Sequence, residues 1–445
     1  MHSLKAVASC YRIATLGCRV NQYESESIEA SLQESGWRPS ETDQNTALYI
    51  VNTCTVTAKA AMQSRQAVRH AIREFPDAAI VVTGCYAQAE PQVFTEIAGV
   101  DFVIGNSEKH RVAAIINQAH PLNQQHPVVF CSGAHLLREL PPTDLPIPSG
   151  RARPYLKIQD GCGDFCTYCI VPYTRGPSRS LPPERVMEMM TTLARHGARE
   201  TVLTGIHLGR YGLDLSPQTS LYELLKRIEA ANAIDRVRLS SIEPKELHDD
   251  IIQMAALNRR ICPHFHIPLQ SGDAAILKKM KRPYTPELFK ELVSRIHENI
   301  SEAAIGVDVL VGFPGEDAAA FERTYHLLAS LPVAYLHVFP FSPRPGTPAS
   351  HFTDQVPASA VKSRCSRLRR LSQVKRAEFN QRQLGGVVDV ILEERRDPSS
   401  GHLKGVSANY LTVLTNGPDD YKNSHVRCRL TGPLHPAGVI GQIIE

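Results

Sequence analysis

The sequence predicts an α/β protein: an amino-terminal parallel-sheet α/β domain, a central incomplete (βα)6 barrel and a small carboxy-terminal antiparallel β-barrel. Three features of the chain indicate this order. Strand and helix patterns alternate over two long stretches, and a proline-rich stretch separates the two. Short apolar runs divided by turn residues then fill the last part of the chain.

The first domain is expected over 1–137, where short apolar runs alternate with amphipathic stretches. The runs predict four strands, at 12–16, 47–51, 79–82 and 101–104. Helical periodicity is found at 21–35, where Gly36 stops it, and at 57–74. This alternation predicts a parallel sheet with helices on its faces.

A proline-rich linker is expected over 138–154, because proline fixes φ and cannot donate to a strand ladder. The region 155–360 then repeats a strand–helix unit. Its strands are expected at 155–159, 201–204, 236–240, 264–269, 305–311 and 335–339. Six such units predict an incomplete TIM-like barrel, whose site would lie at the carboxyl ends of the strands.

A basic helix is expected over 361–382. Its apolar stripe has helical spacing and consists of Val361, Cys365, Leu368, Leu371 and Val374. Eight Lys or Arg face only one Glu, which favours contact with RNA over a merely solvated face. The region 383–445 predicts the small β-barrel, where Tyr410, Tyr421 and His425 are weak candidates for stacking on bases.

The composition narrows the class of protein. The chain has 445 residues, 42% hydrophobic and 21% charged, as expected for a globular protein of two or three domains. No signal-peptide core and no apolar run near ~18 residues is found, so we expect a cytoplasmic protein. Eleven cysteines in a reducing compartment favour metal binding or catalysis over disulfides.

A cysteine triplet directly follows the first expected barrel strand. Cys162, Cys166 and Cys169 have the spacing C-x3-C-x2-C in a polar, glycine-containing loop. Three thiolates on one loop can hold three irons of a four-iron cluster and leave the fourth iron open. Zinc is a weaker alternative, because no fourth ligand follows at finger spacing. Buried packing thiols are the other interpretation.

Three further cysteines share a local setting although they lie far apart in the chain. Cys18, Cys54 and Cys85 each come immediately after an expected strand of the first domain. Parallel strands end at one edge of their sheet, so the three thiols are expected to converge there. Their sequence separations are not diagnostic, and three unrelated buried thiols are an equally good interpretation of spacing alone.

At these residues the chain resembles a known family. The triplet resembles that of radical S-adenosylmethionine enzymes, and Leu16-Gly-Cys-Arg-Val-Asn-Gln, Val51-Asn-Thr-Cys-Thr and Gly84-Cys-Tyr-Ala-Gln resemble the methylthiotransferases within that superfamily. The resemblance covers nearly the whole chain. It implies a cluster domain, a radical SAM barrel and a TRAM-like RNA-binding barrel, in this order.

The resemblance also implies cofactors and an activity. Two [4Fe-4S] clusters would be held by Cys18, Cys54 and Cys85 and by Cys162, Cys166 and Cys169, with no catalytic residue expected beyond these ligands. S-adenosyl-L-methionine would supply a methyl group and a radical for inserting a methylthio group at adenine C2. The subfamily most similar to this chain acts on N6-threonylcarbamoyladenosine at position 37 in the anticodon loop of tRNA; the sulfur and electron donors are unknown.

Other functions stay open at this point. Within the family, the substrate is alternatively N6-isopentenyladenosine-37 of tRNA or an aspartate of a ribosomal protein. A non-catalytic iron–sulfur protein that binds RNA is an alternative of another class, and a zinc hydrolase is a weaker one. As cofactor-binding residues at or near the barrel strand ends we predict Gly205, Glu243, Gln270 and Asp308. The cysteines expected only to pack are Cys10, Cys131, Cys262, Cys365 and Cys428.

Overall fold

A computed structural model describes residues 10–40, 45–118, 127–141, 152–258, 260–435 and 438–444. Most of the expected linker and the residues before Cys10 lie outside these ranges. The chain forms two compact units that do not follow chain order. Unit 1 comprises Met1–Ile147, Gln159–Leu181 and Ser342–Ser350, and unit 2 comprises Pro148–Ile158, Pro182–Phe341 and His351–Glu445.

The described residues contain the following elements. The strands are β1 (Cys10–Thr15), β2 (Arg38–Pro39), β3 (Thr46–Thr53), β4 (Ala79–Gly84), β5 (Phe102–Ile104), β6 (Val128–Phe130), β7 (Tyr155–Lys157), β8 (Gln159–Asp160), β9 (Arg179–Ser180), β10 (Glu200–Thr204), β11 (Arg236–Leu239), β12 (His264–Gln270), β13 (Ala304–Val311), β14 (Tyr335–Pro340), β15 (Val387–Leu392), β16 (Leu403–Ser407), β17 (Thr412–Thr415), β18 (His425–His435) and β19 (Gly438–Ile443). The α-helices are α1 (Arg19–Glu34), α2 (Ala58–Glu74), α3 (Cys85–Ala89), α4 (Gln92–Thr95), α5 (Val112–Gln118), α6 (Val171–Arg175), α7 (Pro183–Arg195), α8 (Leu221–Ala231), α9 (Asp249–Leu257), α10 (Ala274–Lys279), α11 (Pro286–Asn299), α12 (Ala318–Ser330) and α13 (Ala358–Arg382). Short 3-10 helices are found at Lys109–Arg111, Ala134–Leu136, Leu208–Arg210, Pro348–His351 and Asp419–Tyr421.

Unit 1 contains a six-stranded parallel sheet in the order β2-β1-β3-β4-β5-β6. Apolar cores lie on both faces of this sheet. One contains Ile50, Val81 and Ile104, and the other contains Val51 and Val82. The predicted parallel α/β domain is therefore confirmed. The edge strands β2 and β6 were not predicted, because two or three residues are too few to show a periodic pattern.

Unit 2 contains six parallel strands in two three-stranded sheets, β7-β10-β11 and β12-β13-β14. Two isolated parallel bridges, Val237 with Ile261 and Ser241 with His266, continue the order between the two sheets. Helices connect successive strands, so the predicted incomplete (βα)6 barrel is confirmed. The first predicted barrel strand is split, since β7 ends at Lys157 and β8 pairs antiparallel with β9 in unit 1.

The carboxy-terminal part of unit 2 is a closed five-stranded barrel in the order β15-β16-β17-β19-β18. Four of its pairs are antiparallel as predicted, but β17 and β19 pair in parallel. A closed ring with an odd number of strands cannot alternate direction throughout, so one parallel pair is unavoidable. Its core includes Val390, Leu414 and Val439.

Helix α13 has the predicted buried stripe only in part. Cys365, Leu368 and Leu371 are buried, but Val374 is exposed and Phe379 takes its place in the core. Several basic residues of α13 are engaged within unit 2. Arg364 pairs with Glu316, Arg367 pairs with Glu322, and Lys375 donates to the carbonyls of Ala329 and Leu331. Among the described residues, no helix is long and apolar enough to span a membrane.

Candidate active site

Unit 1 brings Cys18, Cys54 and Cys85 to one edge of its sheet. Cys18 precedes α1 after β1, Cys54 follows β3, and Cys85 begins α3 directly after β4. The glycines before Cys18 and Cys85 have φ of +103° and +101°. A Cβ on Gly17 would lie 2.9 Å from the Cys54 sulfur, so the first two cysteine turns are in contact. The expected convergence of the three thiols is thus seen in the geometry.

Two asparagines that the sequence analysis did not single out hold these turns together. The Asn21 side-chain amide donates to the carbonyl of Leu16 at 2.7 Å and to that of Thr53 at 3.0 Å, which precede Cys18 and Cys54. Asn52 donates to the backbone carbonyl of Asn21 at 2.9 Å. Burial, with Cys85 and Cys18 nearby, raises the pKa of the Cys54 thiol to about 12. A metal that binds thiolate would have to displace its proton.

The loop that bears Cys162, Cys166 and Cys169 also belongs to unit 1. The β8–β9 pair closes its base, and the Cys162 N–H donates to the carbonyl of Gly176 at 3.0 Å. The Cys169 N–H donates to the Cys166 carbonyl at 2.9 Å, which turns the loop back on itself. At Gly161, φ is +78° and a Cβ would lie 1.9 Å from the Pro177 carbonyl oxygen, so only glycine fits.

A buried charge network connects this loop to the first cysteine site within unit 1. The Arg175 guanidinium donates to Glu24 at 2.8 and 3.1 Å and to Asp160 at 3.0 Å. It also donates to the Asn21 side-chain oxygen at 2.7 Å. Lys109 donates to Glu24 at 2.6 Å, and Arg179 lies 3.8 Å from Asp160, so three cations surround two carboxylates. No local pattern predicts this network, because its partners come from distant segments of the chain.

Three more residues of unit 1 make hydrogen bonds around the cysteines. Asn106 donates to the Cys85 sulfur at 3.5 Å and to the Thr174 carbonyl at 2.9 Å. Arg344 donates to the carbonyl of Thr55, which follows Cys54, at 3.3 Å. The Ala349 N–H donates to the Thr167 carbonyl, between Cys166 and Cys169, at 2.8 Å. The segment Ser342–Ser350 therefore contacts both cysteine regions.

The four other predicted site residues lie on the barrel strands of unit 2. Gly205 follows β10, and Glu243 comes shortly after β11 and pairs with Arg282. Gln270 ends β12 with φ of +65°, beside a register shift in its pairing with β13.

Asp308 lies within β13 rather than at its end, and it accepts hydrogen bonds from His266 and His337. Within the part of the chain that the structure describes, no hydrogen bond joins any two of Gly205, Glu243, Gln270 and Asp308.

Comparisons with known proteins agree with this arrangement. A family model described as Uncharacterized protein family UPF0004 matches residues 10–105, and the Radical SAM superfamily model matches residues 156–328. The solved structure of the radical S-adenosylmethionine methyltransferase TsrM from Kitasatospora setae superposes with a TM-score of 0.58. The superposition covers 77% of each chain at 16% sequence identity, which shows that the two proteins share a fold. The barrel and the cysteine loop thus define the class, a radical SAM enzyme.

Similarity to curated proteins identifies the family within the radical SAM class. The threonylcarbamoyladenosine tRNA methylthiotransferase MtaB of Bacillus subtilis is 37% identical over 427 residues, covering 95% of this chain and 94% of its own. The protein of that name from Aquifex aeolicus is 37% identical over 383 residues, 86% of this chain and 92% of its own. The tRNA-2-methylthio-N(6)-dimethylallyladenosine synthase of Carboxydothermus hydrogenoformans is 32% identical over 438 residues, 97% and 99% of the two chains. The chain belongs to the radical SAM tRNA methylthiotransferases.

Enzymes of this family use S-adenosylmethionine and two [4Fe-4S] clusters. The donor set of unit 1 fits two such clusters, because it offers two groups of three thiols. Thiolates are the usual ligands of iron–sulfur clusters, and three of them leave one iron for an exogenous ligand.

Proposed function

We propose that this enzyme converts N6-threonylcarbamoyladenosine at position 37 of tRNA to its 2-methylthio derivative in the cytoplasm. Two relatives named as threonylcarbamoyladenosine tRNA methylthiotransferases support this substrate, since each is 37% identical over most of both chains. Position 37 lies in an unpaired loop, so its base can leave the stack and enter a pocket. In this proposal 1–137 provides the sulfur-inserting site, 155–360 the radical site and 383–445 a surface for tRNA.

One observation carries the proposal: two groups of three cysteines lie in one compact unit and share supporting residues. We assign Cys162, Cys166 and Cys169 to the cluster that binds S-adenosylmethionine. Cys18, Cys54 and Cys85 are assigned to the second cluster. Asn21, Asn106 and Arg175 hold the loops that bear these thiols.

The chemistry explains why such cofactors are needed. The adenine C2–H bond is unactivated and has no acidic proton, so acid–base groups alone cannot replace it with sulfur. S-adenosylmethionine, when bound at a reduced cluster, supplies a carbon radical able to activate this position. The chain's own residues have a simpler part: they position the cofactors and the base. Of the four residues predicted to bind the cofactor, Gly205, Glu243 and Gln270 are proposed as its contacts on the barrel. Asp308 lies within β13 and is bound by His266, so it is left out of this assignment.

The test is nucleoside mass spectrometry of tRNA from a strain that lacks its own 2-methylthio-N6-threonylcarbamoyladenosine. Expression of this chain should restore that nucleoside, whereas the Cys18→Ala and Cys162→Ala variants should not. Cys428→Ala, a buried cysteine of the carboxy-terminal barrel, serves as the matched control and should restore it. Persistence of unmodified threonylcarbamoyladenosine with the wild-type chain would contradict the proposed substrate.

The same experiment addresses the second candidate substrate. The relative named for dimethylallyladenosine covers 97% of this chain, so the isopentenyl nucleoside is the favoured alternative. Appearance of the 2-methylthio isopentenyl product alone would select it. Anaerobic incubation with S-adenosylmethionine and dithionite separates both from a non-catalytic RNA-binding protein, which would release no 5′-deoxyadenosine.

A further inference from the structure

The edge strand β14 of unit 2 presents two exposed side chains on one face. His337 and Phe339 are two residues apart, so they point to the same side of the strand. Their exposed fractions are 49% and 42%, although the neighbouring Leu336 is buried. The two rings lie 6.3 Å apart at 77°. The His337 imidazole and the Phe339 ring are therefore exposed side by side, where a ligand could contact both.

Asp308 fixes the orientation of His337. The His337 Nδ1 lies 3.3 Å from the Asp308 Oδ1, and the His266 Nε2 lies 2.7 Å from the same oxygen. Burial opposes the charge of Asp308, yet hydrogen bonds from both histidines hold the pKa of its carboxyl well below its usual range. Since Asp308 is ionised, the His337 Nδ1 must donate to it. The Nε2 of His337, on the far side of the ring, has no hydrogen-bond partner among the described residues.

The charges around His337 suit an anionic ligand. Two imidazoles, His266 and His337, share the single carboxylate of Asp308. Tyr335 lies against both histidines, and the Arg376 guanidinium lies 4.9 Å from the centre of its ring. A ligand carboxylate placed at the His337 Nε2 would favour the doubly protonated ring, which then donates to Asp308 through Nδ1 and to the ligand through Nε2. An apolar group in its place would offer Nε2 no hydrogen-bond partner and would not favour this second proton.

We propose that His337 and Phe339 form the site that recognises the acid-bearing side chain of the target nucleoside. Phe339 stacks on the purine, and the His337 Nε2 donates to the carboxylate of the threonylcarbamoyl group. This inference rests on the proposed function and deepens it, because it names residues that distinguish this substrate from isopentenyladenosine. The three ligand atoms of His266, Asp308 and His337 lie within 4.8 Å of one another, so a divalent metal is the competing occupant.

The test pairs a change in the protein with a change in the RNA. Full-length protein with both clusters binds anticodon stem-loops carrying either threonylcarbamoyladenosine or its carboxylate methyl ester, and the two Kd values are compared. We expect the wild-type protein to bind the ester about 10- to 100-fold more weakly, because the ester cannot form the charge-assisted hydrogen bond to His337. In His337→Phe the ratio of the two Kd values should fall to about 1. Phe339→Leu should weaken the binding of both RNAs equally, by about fivefold or more, because the base loses the ring on which it stacks.

The control is His326→Phe, the same substitution at an exposed histidine of α12, which should keep the wild-type ratio. A wild-type ratio in His337→Phe would overturn the inference. So would a stoichiometric zinc or manganese ion that is present in the wild-type protein and lost in Asp308→Asn. If the wild-type chain methylthiolates the threonylcarbamoyl RNA, an unchanged ratio counts against this site alone; if it does not, the proposed function itself fails.

Discussion

Arg175 binds Glu24 through both terminal guanidinium nitrogens, at 2.8 and 3.1 Å, across 151 residues of sequence. Arg175 ends α6, six residues beyond Cys169, and Glu24 lies on α1, six residues beyond Cys18. Both side chains are buried, so the pair is formed without solvent screening. It fixes one cysteine segment of unit 1 against the other.

We expect Arg175→Gln to destabilise unit 1 by about 3–5 kcal/mol, because Glu24 and Asp160 would be left as buried carboxylates with fewer cationic partners. Urea unfolding, followed together with iron content after anaerobic reconstitution, measures the loss. Arg175→Lys keeps the charge but not the forked geometry, so it should recover only part of the stability. The exposed Arg111–Glu108 pair is the control, and Arg111→Gln should cost less than about 1 kcal/mol.

Gly161→Ala should prevent correct formation of the cysteine loop. The added Cβ would lie 1.9 Å from a backbone oxygen that cannot move aside, at a residue with positive φ. Iron counting after reconstitution should show the loss of about four irons per chain, the content of one cluster. Gly163→Ala is the matched control in the same loop, since its Cβ would meet nothing within 4 Å. Equal iron content in both variants would show that the close contact does not matter.

The cysteine turns can be predicted from local sequence, but the charged pair that holds them together cannot. The cysteines, the glycines before two of them and the strand ends are local signals. They predicted that Cys18, Cys54 and Cys85 share one sheet edge, but the assignment of these thiols to a cluster needed the family resemblance as well. The Arg175–Glu24 pair had no such signal, because a charged residue in a helix usually faces solvent and its partner lies in another segment. The placement of Gln159–Leu181 with unit 1 could not be predicted for the same reason.

The pH dependence of unit 2 should reflect Glu200, which is fully buried at the start of β10. Burial alone would raise the pKa of Glu200, but Arg238 and Arg236 lower it to about 2. The unfolded value is about 4.3. Glu200 therefore contributes stability in full above about pH 4.3 and loses it as the pH falls towards 2, about 3 kcal/mol in all.

Measuring urea unfolding from about pH 5 to about pH 2.5 checks this expectation. Glu200→Gln should be less stable near neutral pH, since Arg238 loses its charged partner. Its stability should nevertheless fall less steeply with acid than that of the wild-type protein. Identical slopes for the two proteins would mean that Glu200 does not titrate in this range.

The basic residues of α13 should divide into two functional groups. Arg369 and Arg370 are exposed, and no hydrogen bond or ion pair within the described residues engages them, so they are available to phosphate. Arg367 is exposed as well, but it is held by Glu322. We expect the double variant Arg369→Ala, Arg370→Ala to weaken tRNA binding and to reduce the slope of log K against log salt by between about 1.4 and 2.

Filter binding across a salt series measures this slope, and Arg367→Ala provides the comparison. Removing Arg367 breaks an internal pair, so it should lower stability slightly and leave the salt slope nearly unchanged. Both variants replace arginine with alanine on one helix, so a general disturbance of α13 would weaken tRNA binding by both. A loss of slope in Arg367→Ala equal to half that of the double variant would mean that the helix binds RNA by total charge rather than through its unpaired arginines.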